Sequence, residues 1–438
     1  MSRMSAFTFL ARLLASSAGK SRPEVPSATT SGIAPARAAI NAMDNSPGAT
    51  VLFPYFEVDP NDPNGRDTLI SFSNASATAI LGHVTVWTDM GLPVLTFNVY
   101  QTGYDISTFS MRELLVNGNL PRTASAGQDP GDQISNKGDF SQDINFASCS
   151  GQLPYPNGIL VPGFRADLQL ALSGRSAAFL NGKCAAASHG DTLDRGYITI
   201  DVVNNCTARK PGDVGYFSPG GTGDATNQNV LYGEYFIVDP ANQFLHQGKA
   251  VAIEASAIDP ATSTAGNYTF YGRLPFNGNK WSAVDNREPL PTTWAVDAQA
   301  GAGTELIVWR DTKSTIQPFT CGVSPGQGLP LQTESAFTFD NQEKPLAVPP
   351  GGSPFGLATQ RVKLGNAAFP LPAKPGWVYL GLSYTNPIAG SNPSQDIKAD
   401  QAYVTVVQHP EVSYGTTGAT ATALDGAQTA RHVHPDTP

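Results

Sequence analysis

The sequence predicts an all-β protein made of antiparallel β-sandwich domains, Ig-like or jelly-roll-like, with long loops and few short helices. Three observations lead there. Apolar and polar residues alternate at period two in several short runs; Gly (43) and Pro (35) are frequent among the 438 residues; and charged residues make up only 14%. A period of two sends successive side chains to opposite faces of a sheet, and Gly and Pro supply the turns between strands. Asp outnumbers Glu 26 to 10, as expected where acids serve turns and caps rather than helix faces.

Taken in order, His83-Val84-Thr85-Val86-Trp87 turns Val84 and Val86 to one face and leaves His83 on the polar one, in a surface or cross-strand role. Leu95, Phe97 and Val99 share a face against Thr96 and Asn98. Ile198, Ile200 and Val202 repeat the pattern, as does Ala402-Tyr403-Val404-Thr405-Val406. Leu306-Ile307-Val308-Trp309 is apolar on both faces and reads as a central strand. Helices are predicted only at Ser110–Leu115 and Phe164–Leu172. Tyr55-Phe56-Glu57-Val58-Asp59-Pro60 recurs as Tyr235-Phe236-Ile237-Val238-Asp239-Pro240, while Leu69-Ile70 is echoed by Leu306-Ile307 at a different offset. The two echoes therefore do not come from one simple duplication.

These signals divide the chain into a targeting or disordered segment (1–45), a first sandwich region (46–230) with a long insertion at 120–160, a second sandwich region (231–414) and a disordered tail (415–438). Further loops are expected at 208–229 and 345–358. The formal charge of −9 argues against nucleic acid, which selects a basic surface, and against anionic lipid. No clean apolar run reaches the ~20 residues of a membrane helix.

Four cysteines, Cys149, Cys184, Cys206 and Cys321, are scattered with no C-x-x-C pair. That pattern fits two disulfides in an oxidising compartment better than zinc, and the favoured pairing is Cys149–Cys184 with Cys206–Cys321. Residues 1–23 carry Arg3, Arg12, Lys20 and Arg22 and no acid. Arg12 breaks the apolar stretch, so a signal peptide, a transit peptide and a mis-assigned start all remain open. The cysteines favour export to the periplasm, cell surface or exterior.

Leu69–Ser76, then Val84–Asp89 and Gly91-Leu92-Pro93, resemble a strand-turn-strand signature of secreted bacterial sandwich modules. Tyr55–Asp59, Thr102–Asp105, Asn286–Trp294 and Leu306–Asp311 resemble segments of exported proteobacterial β-sandwich proteins of unestablished function. The resemblance spans roughly residues 50–410. It implies an envelope location and β architecture, and it imports no active site.

Local chemistry is sparse. Gly322-Val323-Ser324-Pro325-Gly326 matches the G-x-S-x-G hydrolase elbow, but that elbow uses the N–H of the residue after Ser, and Pro325 has none. His189-Gly190-Asp191 with Asp194 reads as a solvated loop before a metal site. For calcium, the oxygen-rich candidates are Asp59, Asp62, Asn64 and Asp67, beside Gly65; the alternative is an Asx/Pro turn. For a glycan, the candidates are Trp281 with Asp285, Asn286 and Arg287, and also Trp87 with Asp89, because an exposed ring stacks on sugar C–H groups while carboxylates and amides bond the hydroxyls. A glycoside hydrolase would need two converging carboxyls, drawn from Glu57, Glu254, Glu288 and Glu305.

The expectation is a non-catalytic exported β-sandwich protein, structural or ligand-binding, with a glycan or another envelope protein as partner and no required cofactor. The alternatives are a secreted carbohydrate-active hydrolase and a calcium-dependent adhesion module.

Overall fold

The alternating runs become strands, and these assemble into four sheets. The computed structural model describes residues 46–121, 159–242, 244–259, 269–274, 284–298, 304–312, 316–326, 329–333, 335–346, 355–366, 369–371, 376–383 and 401–407, together with three two-residue backbone stretches between 425 and 432. The targeting segment, Cys149, Trp281 and most of the 120–160 insertion lie outside the described residues.

The first sheet runs β4 (Pro93–Gln101), β3 (Ile80–Thr88), β6 (Asp194–Val203), β1 (Thr50–Val58) and β9 (Val251–Ile253). The second runs β17 (Asp425–Gly426), β8 (Phe244–Lys249), β7 (Leu231–Asp239), β2 (Asp67–Asn74) and β5 (Ile106–Ser110). The third contains β14 (Thr359–Lys363), β11 (Glu305–Arg310), β16 (Ala402–Val407) and β18 (Gln428–Thr429). The fourth contains β13 (Pro345–Leu346), β12 (Ser335–Asp340), β15 (Gly376–Gly381), β10 (Thr293–Ala298) and β19 (Arg431–His432). Every pairing is antiparallel except the two-residue contact of β17 with β8. The tail expected to be disordered thus contributes three short backbone pairings.

One hydrophobic core joins the first and second sheets. Val51, Phe53, Val84, Val86, Ile198 and Ile200 pack there against Ile70, Phe72, Tyr235 and Ile237. A second core joins the third and fourth sheets, with Leu306, Val308, Val404 and Val406 against Trp294, Val296, Val378 and Leu380. Leu52, Trp87 and Tyr197, on the other face of the first sheet, belong to this second core. Both faces of the first sheet are therefore covered, and β1 and β3 are buried along their whole length. Of the two roles open to His83, the structure shows the cross-strand one. His83 is fully buried, its Nδ1 lies 3.0 Å from Asn98 Oδ1 across the β3–β4 pair, and burial lowers its pKa.

Beyond the expected boundary at 230/231, β7, β8 and β9 pair with one another or with strands of the first region. The Tyr55 and Tyr235 echoes lie on β1 and β7, in different sheets, with Phe53 and Tyr235 edge to face across the core. The predicted helix near 164 is α1 (Pro162–Leu172), started by Pro162 in its first turn where a missing N–H costs nothing. It buries Leu168, Ala171 and Leu172. The candidate helix at 110–115 is a single π-type turn over Glu113–Asn117, closed by Gly118 at φ 79°.

The disulfide pairing differs from the expected one. Cys184 bonds Cys321, across 137 residues of sequence, which overturns both favoured pairs because each used one of these two cysteines. Cys206 is disulfide-bonded as well. The bond becomes available because the chain after α1 and the segment before Cys321 run side by side: Cys184 N–H donates to Phe319 O (2.9 Å) and Phe319 N–H to Cys184 O (3.0 Å).

Three polar clusters hold these layers together. In the first, Asp201 on β6 accepts from Thr50 Oγ1, from Tyr216 OH (2.8 Å) and from Tyr271 OH (3.0 Å), and lies 3.4 Å from Arg287 Nη2. Arg287 also donates to Thr50 Oγ1 (2.6 Å) and to the carbonyls of Asp285 (2.8 Å) and Thr226 (3.0 Å). Burial, reinforced by the Asp201 charge, raises both tyrosine pKa values well above 10.0. In the second, Arg273 pairs with Asp311 at 3.1 Å and donates to Tyr197 OH. In the third, Arg361 links Glu57 (2.8 Å) to Glu305, and Arg66 links Glu57 (3.2 Å) to Asp239 (2.8 Å).

Removing one partner of a buried pair leaves a desolvated charge, at a cost of about 3–5 kcal/mol; an exposed pair contributes about 0–1 kcal/mol. Arg287→Ala is therefore expected to lower the urea midpoint sharply. Arg209→Ala, which loses a pair to Asp224 from a side chain 52% exposed, should leave the midpoint nearly unchanged. Equal shifts would contradict the ranking.

Asp194 supplies a pH-dependent test. It is fully buried opposite Val58, and neither carboxylate oxygen has a hydrogen-bond partner among the described residues. Burial pushes its pKa well above 3.8. The unfolded chain ionises near that ordinary value while the folded chain stays neutral, so this group's contribution to stability falls as pH rises through 3.8 towards the folded pKa. Asp194→Asn should melt higher than the wild type at neutral pH and lose that advantage below 3.8; parallel melting curves at all pH values would refute this.

Candidate functional site

With both faces of the first sheet covered, binding chemistry falls to the outer sheets and the loops. The outward face of the fourth sheet carries an aromatic ridge. On β12, Thr338 is buried while Phe337 and Phe339 point the other way; on β15, Val378 and Leu380 are buried while Trp377 and Tyr379 point the other way. Register places Phe339 beside Trp377 and Phe337 beside Tyr379, and cross-strand partners lie on the same face. The Phe339 and Trp377 rings stack at 4.2 Å and 15°, while Phe337 lies 6.2 Å from Tyr379 and 6.3 Å from Phe339. Asp297, exposed on β10, continues the row beyond Trp377, and Pro345 on the short edge strand β13 continues it beyond Phe339. Phe337 is 47% exposed.

This arrangement can hold a flat, partly apolar chain. Aromatic faces carry partial negative charge and attract the polarised C–H groups of a sugar ring, while Tyr379 OH and the Asp297 carboxylate can bond hydroxyls. The ridge is absent from the sequence-based candidates, yet its signal is present. Phe337-Thr338-Phe339 and Trp377-Val378-Tyr379-Leu380 each put aromatics on one phase of a strand and a buried residue on the other.

Of the residues expected to hold a glycan, Trp281 lies outside the described residues, while Asp285 and Arg287 are fully buried and Asn286 is 7% exposed. Their polar atoms are taken up inside: Asp285 accepts from Thr269 Oγ1 and from Tyr271 N–H (3.0 Å), Asn286 donates to Ser256 O (3.0 Å), and Arg287 belongs to the Asp201 cluster. Trp87 is buried too. It stacks on Tyr197 at 5.5 Å and donates to Thr199 Oγ1, so it presents no face to a sugar.

The four calcium candidates sit on one turn and its following strand, and each carboxylate accepts hydrogen bonds from the protein. Asp59 Oδ1 accepts from the backbone of Asn61 and Asp62, and Asp62 Oδ1 from the Asn64 N–H. Asp67 Oδ1 accepts from Thr68 and Arg112, and its Oδ2 from Ser110 Oγ. The Asp59 and Asp62 bonds are those of Asx turns, while Asp67 ties β2 to Ser110 and Arg112.

The glutamates meet in two pairs. Glu57 and Glu305 share Arg361, so the guanidinium occupies the space between them. Glu288 N–H donates to the backbone carbonyl of Glu254. The residues of the His189 loop diverge: His189 Nε2 lies 2.7 Å from Asp89 Oδ2, and Asp191 takes two bonds of 2.7 Å from Arg195. Asp89 sits on the tight β3–β4 turn, which Gly91 closes at φ +83° with its N–H donating to Thr88 O. Burial raises the Asp89 pKa, opposed by its bond to His189. Val323 N–H donates to Thr320 O and closes a turn at the start of the Gly322–Gly326 segment, and no helix follows it among the described residues.

No helix among the described residues is long and apolar enough to cross a membrane. No protein-family model, curated protein or solved structure matches the chain.

Proposed function

We propose that this protein is exported from the cytosol and acts as a non-catalytic binding protein of the cell envelope or its exterior, holding an extended, uncharged polysaccharide on the aromatic ridge. The observation that carries this reading is the ridge itself. Four aromatic side chains on two adjacent strands face away from the core, where burial would have rewarded them by about 25 cal/mol per Å² of apolar surface. Rings left half in water on a sheet face are spent on something other than folding. Tyr379 OH and Asp297 flank them as hydrogen-bonding groups for sugar hydroxyls, and the net charge of −9 disfavours an acidic polymer.

Export is supported by the Cys184–Cys321 disulfide, a bond that persists outside the reducing cytosol, and by the resemblance to exported proteobacterial proteins. The hydrolase reading draws no support from Glu57 and Glu305, which face Arg361. The calcium reading draws none from the Asp59–Asp67 turn, whose carboxylates accept N–H and O–H bonds.

Binding to insoluble cellulose and chitin and to a panel of soluble neutral glycans tests the proposal. Trp377 is half-buried on the ridge, whereas Trp87, Trp294 and Trp309 are fully buried, so sugar should shift the tryptophan emission of the wild type and not that of Trp377→Ala. Trp377→Ala and Phe337→Ala should each weaken binding about tenfold, the equivalent of one aromatic contact of about 1.4 kcal/mol, with melting temperature little changed for Phe337→Ala. Failure to bind any glycan, or binding indifferent to both changes, would sink the reading.

A further inference from the structure

A second concave site lies away from the ridge, at the junction between the segment after α1 and the turn around Gly322. It is a cavity of about 310 Å³, at the lower end of the roughly 300–1,000 Å³ of small-molecule sites. One wall carries Ala187 and Ser188; the other carries Phe319, Ser324, Pro325 and Leu329; Met90 and Leu357 contribute from further segments. Among the described residues, no charged side chain lines it.

Both walls are fixed before any ligand arrives. Cys184 and Cys321 join them covalently, and the paired backbone bonds between Cys184 and Phe319 run beside the disulfide. The first wall is pinned to the β3–β4 turn: Ala187 N–H donates to Asp89 Oδ1 (3.0 Å), Thr88 Oγ1 to Ala185 O (2.6 Å), and His189 Nε2 lies against Asp89 Oδ2. The second wall is held by Leu329 N–H to Gly326 O (2.7 Å) and Leu331 N–H to Gly356 O (2.8 Å). A site organised in advance loses little ordering entropy on binding. Val323, an apolar residue of the lining, remains 60% exposed.

We infer that this cavity binds a small, uncharged, largely apolar molecule of one or two rings, with the hydroxyls of Ser188 and Ser324 available to a single polar group on it. A charged ligand would lose its hydration here with no opposite charge to replace it, which restricts the class to neutral compounds. The inference is independent of the ridge and of what binds there.

The probe is N-phenyl-1-naphthylamine, a neutral two-ring dye that brightens in apolar surroundings, titrated into the full-length protein. Saturable binding with one dye per chain is expected. Ser324 is exposed, so Ser324→Trp should fold normally while filling the cavity, and Val323→Asp places a charge at its mouth; each should weaken dye binding at least about tenfold, or about 1.4 kcal/mol. Trp377→Ala should leave the titration unchanged. Absence of saturation, full affinity in both cavity variants, or loss of binding in the Trp377 variant would each overturn the assignment, the last by moving the dye to the ridge.

Discussion

The ion pair of Asp201 and Arg287, both fully buried, is the constraint on which the layering depends. Two opposite charges removed from water are a net gain only when nearly every remaining donor and acceptor is matched. Here the matching groups come from far apart in sequence: Thr50 on β1, Tyr216 and Thr226 from the loop after β6, Tyr271, and the carbonyl of Asp285. Satisfying Arg287 therefore brings residues from both halves of the chain to one point behind the first sheet. Phe217, with its ring 4.8 Å from the guanidinium carbon, closes the cluster against the second core. Such an arrangement is poorly replaceable by parts, because each hydroxyl that bonds the carboxylate also fixes the loop that carries it.

That constraint explains which parts of the fold were legible in the sequence. Period-two alternation located the strands at 83–87, 95–100, 197–202, 306–309 and 402–406, because the pleat follows from residue order alone. In the second sheet β2 alternates in exposure too, with Leu69 exposed and Ile70 and Phe72 buried. In the first sheet exposure does not follow the pattern. His83, Thr85, Asn98 and Asp201 occupy the polar phase of their strands and are all buried. A polar phase signals water only when nothing else covers that face, and the covering residues here lie hundreds of positions away, 237 in the Arg287–Thr50 bond and 304 in the Arg361–Glu57 bond. The same long reach defeated the disulfide assignment, since chain separation says little about which cysteines a sheet topology brings together.

The candidate sites show the converse error. The Asp285–Arg287 stretch is rich in charge and turn residues, the usual marks of a surface, and it lies in the interior because its charges find partners there. Phe337, Phe339, Trp377 and Tyr379 have core-like composition and lie on an outer face. Charge predicts exposure only where it is unpaired, and aromaticity predicts burial only where a second layer exists to receive the ring. What distinguishes the ridge is the opposite phase: Thr338, Val378 and Leu380 already fill the inward positions of β12 and β15. The aromatics on those strands had no inward position left to take.

Function in this molecule is accordingly confined by its own packing. The first sheet supplies rigidity and gives up both faces to do so. Of the outer sheets, the second exposes a groove of about 620 Å³ in which Leu69, Phe109 and Phe236 mix with Glu113 and Glu234. The fourth sheet concentrates aromatic surface on two adjacent strands whose spacing is fixed by backbone hydrogen bonds. A platform of that kind suits a long polymer, which can meet several rings at once without any single tight contact. The cavity beside Cys184 has the complementary properties, with walls from separate parts of the chain, a covalent tie across them and no charged side chain among its described lining residues. An extended chain would not enter it and a small neutral ring would gain little on the ridge, so the two surfaces select different classes of ligand by shape before any specific bond is made.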